Sequence, residues 1–349
     1  MAAYTTIDDP SAYFKVQLYT GNGTAIGSNG KVVTFDDTDT DMQPDLVWIK
    51  DREDTYSHVL TNSVSGATKY LNSNGTAVET TNTETLTAFG SDGFTVGNFA
   101  GVNINTTTYV AWCWKESATA GFDIVSYTGN GTDDTDISHN LSAVPKMIII
   151  KNLSAADAWQ VYHHKNTAAP ETDYLVLDTT AATADAADRW SDEAPTSSVF
   201  TLGDGDEVNT NTENYIAYCF AEKQGYSKMG TYVANDDTTA KPNNDATFIY
   251  TGFKPRFIMT KRIDGTSEWA IFDTKRTTST YTHNPMYNIL FADSNQAENQ
   301  TEPIDVYSNG WKPRADSGWY HYPADSTWVY YAVAEAPFVN SKGVPCNAR

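Results

Sequence analysis

The run Tyr109-Val-Ala-Trp-Cys-Trp-Lys115 decides how this chain is read. Small or β-branched residues alternate with aromatics, and no charge interrupts them until the closing lysine. That is the pattern of a strand buried on both faces. The run returns as Tyr215-Ile-Ala-Tyr-Cys-Phe-Ala221 and, weakened, as Val329-Tyr-Tyr-Ala-Val-Ala-Glu335. Copies spaced by about 105 to 115 residues mean that one plan is closed three times along the chain.

Working outward, each copy has the same companions. Val16-Gln17-Leu18-Tyr19 alternates and stops at the turn Thr20-Gly-Asn-Gly-Thr24. Ile124–Tyr127 stops at Thr128-Gly-Asn-Gly-Thr132, and Met229–Tyr232 stops at the degraded turn Val233–Asp236. Proline-led strands follow at Pro44–Lys50, Pro145–Lys151 and Pro255–Lys261, because proline can start a ladder but cannot donate within one. The closing lysine of each, or its neighbour, is expected to meet solvent. His58, Trp159 and Trp269 stand about eight residues further on and read as large core residues covering a sheet. Asp92–Gly97, Ser198–Gly203 and Asn309–Trp311 correspond in turn. Only Thr179–Trp190 has the alanine-rich look of a short helix.

The expected fold is therefore all-β: three tandem antiparallel β-sandwich modules of jelly-roll or concanavalin-like type, from an internal repeat of about 105 residues. First and last strands of each module should be neighbours in one sheet. The boundaries read as an attachment arm over 1–14, repeats over 15–116, 122–222 and 228–338, and a tail over 339–349. The connectors Glu116–Gly121 and Lys223–Ser227 are too short to tether modules loosely. Separate sandwiches are preferred to one propeller-like ring, since a repeat of this length exceeds a propeller blade.

A formal charge of −21 on 349 residues argues against nucleic-acid partners, whose phosphates need clustered Lys and Arg, and against an anionic membrane surface. The acidity is uneven: from Lys228 onward 12 Lys and Arg stand against 13 Asp and Glu, so the first two repeats carry nearly the whole deficit. No apolar run is long enough to cross a membrane as a helix, and neither end reads as an export signal. Cys113 and Cys219 occupy the same position in two copies of one strand, so they are read as buried thiols rather than a disulfide, with Cys346 loose in the tail. That usage suits folding in a reducing cytoplasm.

No strong catalytic motif is present: no His-Glu-x-x-His, no phosphate loop with its lysine, no Cys-x-x-Cys, no Gly-x-Ser-x-Gly. The repeats share aromatics and glycines rather than acids, so no enzyme and no cofactor are expected. The adjacent His163 and His164 should point to opposite faces of a strand, one of them exposed, and not chelate. Within Asp36–Asp41, Asp37, Asp39 and Asp41 are weak cation candidates. That run lacks the mid-loop glycine and the bidentate glutamate of a calcium loop. Trp319, Tyr320 and Tyr322 flank a glycine and a proline and are weak candidates for stacking on a sugar, with contact to a neighbouring chain or module favoured. Tyr4, Ile7, Tyr13 and Phe14 could anchor the leader to something else.

Nearly the whole chain resembles an uncharacterised family of marine bacteriophage virion structural or tail-fibre-like proteins. The likeness rests on Tyr4-Thr-Thr-Ile-Asp-Asp-Pro10, Tyr19–Thr24, Pro44–Lys50, Gly66–Leu71, Asp92–Gly97 and Tyr109–Lys115. It continues through Tyr215–Glu222, Thr251–Pro255 and Glu335–Phe338. It carries no catalytic residue across and implies a piece of the virion exterior, assembled in the host cytoplasm. The expected role is a tail appendage (fibre, spike or adhesion protein) contributing to host attachment. The rival expectations are a capsid decoration or head fibre protein and a carbohydrate-binding or glycan-depolymerising module. Other virion proteins, further copies of the chain in a trimer, and a host glycan are the partners expected; membrane insertion is not.

Overall fold

The computed structural model describes residues 3–36, 40–235, 246–276, 285–300, 304–314 and 318–346. The chain is all-β, and every strand pair is antiparallel. Three large sheets follow one strand order. In the first, Phe14–Thr20 lies beside Thr108–Trp114, then Leu46–Asp51, then Val59–Asn62. In the second, Phe122–Thr128, Asn214–Phe220, Met147–Asn152 and Gln160–His163 take the same places. In the third they are taken by Ser227–Val233, Thr327–Pro337, Phe253–Arg262 and Ala270–Asp273. Opening and closing strands are neighbours in each sheet, as their sequences imply.

The register corrects one alignment. Trp112 pairs with Trp48, Tyr218 with Ile149 and Tyr331 with Met259. The third copy of the closing run is therefore Trp328–Ala334, one residue earlier than the pattern Val329–Glu335. The slip matters because side chains alternate between faces with period two.

In the correct register one apolar row crosses the inner face of each sheet. The rows are Val16, Trp112, Trp48, Leu60; Ile124, Tyr218, Ile149, Val161; and Met229, Tyr331, Met259, Ile271. All twelve belong to one continuous buried cluster shared by the three sheets. Outer-face residues of the same closing strands enter three separate clusters: Tyr109, Ala111 and Cys113; Tyr215, Ala217 and Cys219; Trp328, Tyr330 and Ala332. There a smaller antiparallel sheet covers each large one, such as Lys31–Thr34, Leu86–Gly90 and Gly93–Val96 over the first. The expectation of separate cores is corrected accordingly. Each large sheet has two apolar faces, and only pooling the inner ones removes both from water.

The turns that bound the opening strands are fixed by close backbone approach. A Cβ on Gly21 would stand 1.9 Å from the Ile104 carbonyl oxygen, and one on Gly129 2.2 Å from that of Thr210. Asn103 and Asn209 accept from the N–H of Asn22 and Asn130 at 2.8 and 2.9 Å, which explains the paired Asn-Gly and Val-Asn motifs. In the third sheet Ala234 stands where the first two have Gly21 and Gly129. Thr179–Trp190 is helical only over Ala187–Trp190, and its Ala184–Asp185 joins a strand ladder instead.

Candidate functional site

The anchoring residues of the leader are consumed inside the chain. Ile7 and Phe14 are buried in the shared cluster. Tyr13 meets Tyr226 edge-on at 6.1 Å, and the Tyr4 hydroxyl donates to the Gly252 carbonyl at 2.6 Å. Asp8 accepts from the backbone and the hydroxyl of Ser341. The leader therefore does not hang free as an arm; it straps the first sheet to the third. Among the sugar-stacking candidates, Tyr320 is wholly buried, with Phe272 at its ring edge, and its carbonyl accepts from the Tyr232 hydroxyl. Trp319 is partly buried against Phe291, and only Tyr322 is exposed. No platform of three aromatics forms, because the rings of Trp319 and Tyr320 pack on Phe291 and Phe272 of the third sheet. Asp37 and Asp39 lie outside the described residues, and Asp41 is exposed. His163 is buried and His164 half-buried, each against a carbonyl of the third sheet, so neither is the exposed member the strand pattern implies.

What the fold does bring together are the seams between sheets. Trp159 Nε1 donates to the Asn72 carbonyl at 3.0 Å, and Trp269 Nε1 donates to the Val176 carbonyl at 2.8 Å. His58 Nε2 lies 2.8 Å from the Phe291 carbonyl. Donor and acceptor hold equivalent register positions each time, so second reaches first, third reaches second and first reaches third. The three sheets close a ring. The equivalent residues Asn62, Asp273 and His163 form a second set: Asn62 donates to the Tyr218 hydroxyl (3.1 Å), Asp273 accepts from Trp112 (3.0 Å) and His163 lies against the Tyr330 carbonyl (3.2 Å), the last one residue off the register of the other two. The void inside the ring is about 20 Å³ and is lined by Trp114, Tyr218, Phe220, Phe257 and their neighbours, too small for a ligand.

Burial also perturbs several titratable groups near the ends of the middle strands and beside the seams. Lys50, Lys151 and Lys261, expected in solvent, are fully buried, and burial lowers each to about 8. Their ammonium groups are satisfied by carbonyls: Asp51 and Asp54; Asn152 and Ala155; Thr180 and Ser267. They are buried because the inner-face alternation that buries Leu46 and Trp48 continues into Lys50. Burial likewise pushes the Asp293 carboxyl up to about 8, with Glu268 beside it adding to the effect. Glu116 is pushed up to about 7 by burial, then by its hydrogen bond to Asp123. His58 and His163 fall to about 3 and stay neutral at physiological pH. Arg276 makes a buried pair with Asp273 at 2.5 Å and reaches Glu298 at 3.0 Å, while Arg52 binds Glu298 in bidentate fashion. These groups face one another or backbone, not an open pocket.

Between the first and second sheets lies a cleft of about 400 Å³ lined by Ser65, Lys69, Glu79, Ser126, Leu153 and Asn214, among others. Sequence reading misses it, because its residues form no motif and are contributed by two repeats.

The family profile that matches this chain covers residues 9–337 and is described as Domain of unknown function (DUF7483). The chain belongs to the DUF7483 family. No curated protein and no solved structure matches it. The matched span begins within the leader and ends with the third closing strand, so it takes in all three large sheets and their seams. Among the described residues, no group of three or more His, Cys, Asp or Glu could hold a metal ion, and no helix is long and apolar enough to cross a membrane.

Proposed function

We propose that this chain is a non-enzymatic bacteriophage virion structural protein on an exterior tail appendage, contributing to host attachment. We further read its architecture as three copies of one jelly-roll or concanavalin-like sandwich plan locked into a ring. The observation that carries the reading is where the repeat spends its equivalent positions. Trp159, Trp269 and His58 pin one sheet to the next, and Lys261 reaches the Thr180 carbonyl across the seam between the third and second sheets. A chain whose polar interior serves rigidity suits a load-bearing or spacing part of a particle, with recognition left to its surface. The likeness of its motifs to virion structural proteins points the same way.

Immunogold labelling and gel densitometry of purified particles test this. Label at the tail, at a few to a few dozen copies per particle, is the expected result. Label spread over the capsid at hundreds of copies would make the protein a decoration instead. Absence from particles overturns the reading altogether.

A further inference from the structure

The seam between the first and second large sheets is built differently from the other two. Arg52, Leu153 and Ile263 hold equivalent positions just past the middle strand. Each donates its N–H to the closing-strand side, to Thr108, Asn214 and Thr327 at 3.0, 2.8 and 3.0 Å. Their carbonyls differ. That of Arg52 accepts the Glu298 N–H at 2.9 Å, and that of Ile263 accepts the Thr183 N–H at 2.9 Å. In both cases an extended backbone segment of the adjoining sheet closes the seam.

The matching position in the first sheet is Glu79, which follows Ser73 as Thr183 follows Leu177 and Glu298 follows Ala292. The bridges agree: Tyr70 pairs with Thr80, Tyr174 with Ala184 and Ile289 with Asn299. Yet among the described residues no backbone N–H reaches the Leu153 carbonyl. Glu79 turns its carboxylate to Lys69 at 3.3 Å, and Thr76, Ala77 and Val78 are exposed. The cleft of about 400 Å³ stands where the segment would lie.

The sequence of the second sheet keeps this cleft polar. Ser126 occupies the position of Leu18, which packs on the shared core in the first sheet. Ser126 and Asn214 are exposed, which leaves Ser126 Oγ and Asn214 Nδ2 open to an occupant of the cleft, while Asn214 Oδ1 accepts from Thr128 at 3.0 Å. Lys69 and Glu79 neutralise each other, so the lining favours an uncharged occupant with donors and acceptors spaced along a line.

We propose that this cleft binds an extended segment of a partner polypeptide with small uncharged side chains, its backbone N–H donating to the Leu153 carbonyl. The two closed seams supply the template for such an occupant: a backbone amide on the equivalent carbonyl. The inference does not depend on where the chain sits in a particle.

The probe is a fluorescein-labelled hexapeptide copying Thr179–Ala184, the segment that closes the seam between the second and third sheets, titrated into the full-length protein by fluorescence polarisation. The protein's own copy already fills its seam, so only the open one is left to the peptide. Saturable one-to-one binding is expected. N-methylation of the amide corresponding to Thr183 should weaken it roughly tenfold, the effect of leaving one carbonyl without its donor. Ser126→Leu, which copies Leu18, should also weaken binding without lowering the melting temperature. No saturable binding, equal binding of the methylated peptide, or undiminished binding by Ser126→Leu overturns the proposal.

Discussion

Glu116 sits at the junction of the first two large sheets, where its backbone N–H donates to Asp45 at 2.8 Å and its carboxyl leans on Asp123. A carboxyl raised to about 7 binds its proton more tightly folded than unfolded. Its contribution is therefore fully present below the unfolded value of about 4.3 and is lost as pH rises through 7. Glu116→Gln removes that dependence. The melting temperature of the variant relative to wild type should rise between pH 4 and pH 8; a difference that stays flat over that range would contradict the assignment. Trp159→Phe tests the seam bond itself. It keeps most of the ring but leaves the Asn72 carbonyl without its donor, and it should cost about 1–3 kcal/mol in denaturant unfolding. Trp269→Phe should cost a similar amount, since the Val176 carbonyl is its counterpart.

At the scale of elements, the leader behaves as a strap rather than an arm. Its 3-10 turn Pro10–Ala12 is capped by the Asp9 carboxylate accepting from Ser11, and it hands the chain to a strand whose first residue, Phe14, contacts Trp114 and Phe257. Ile7→Ala should destabilise the whole protein by about 2–4 kcal/mol, the usual range for truncating a buried aliphatic side chain. A change under half a kilocalorie would mean that the leader detaches before the core melts. The third Pro-led strand shows why element ends were hard to read. Pro255 lies inside Phe253–Arg262 at a shift of register, so the strand starts earlier than the proline suggests.

At the scale of the molecule, the shared cluster makes the three sheets interdependent. A piece spanning 122–222 alone would expose Phe122, Ile124, Met147, Ile149, Trp159 and Val161, each worth about 1.5–3 kcal/mol when buried. It should bind a hydrophobic dye or aggregate, whereas the full chain should unfold in one calorimetric transition. Three resolved transitions, or a folded monomeric fragment, would restore the picture of independent sandwiches.

The sequence by itself determined the strands and their repetition. Alternation with period two, glycine at close turns and the thrice-used closing run are local signals, and each survives into the structure at Thr108–Trp114, Gly21 and Gly129. Even the burial of both faces of the closing strands was legible there. Tertiary structure alone decided what covers the inner faces. An apolar stripe records that it avoids water but not against what, so Trp112, Tyr218 and Tyr331 fit separate cores and one pooled core equally well until the ring closes. The strap and the open seam escaped the sequence for the same reason: each depends on a neighbour contributed by another repeat.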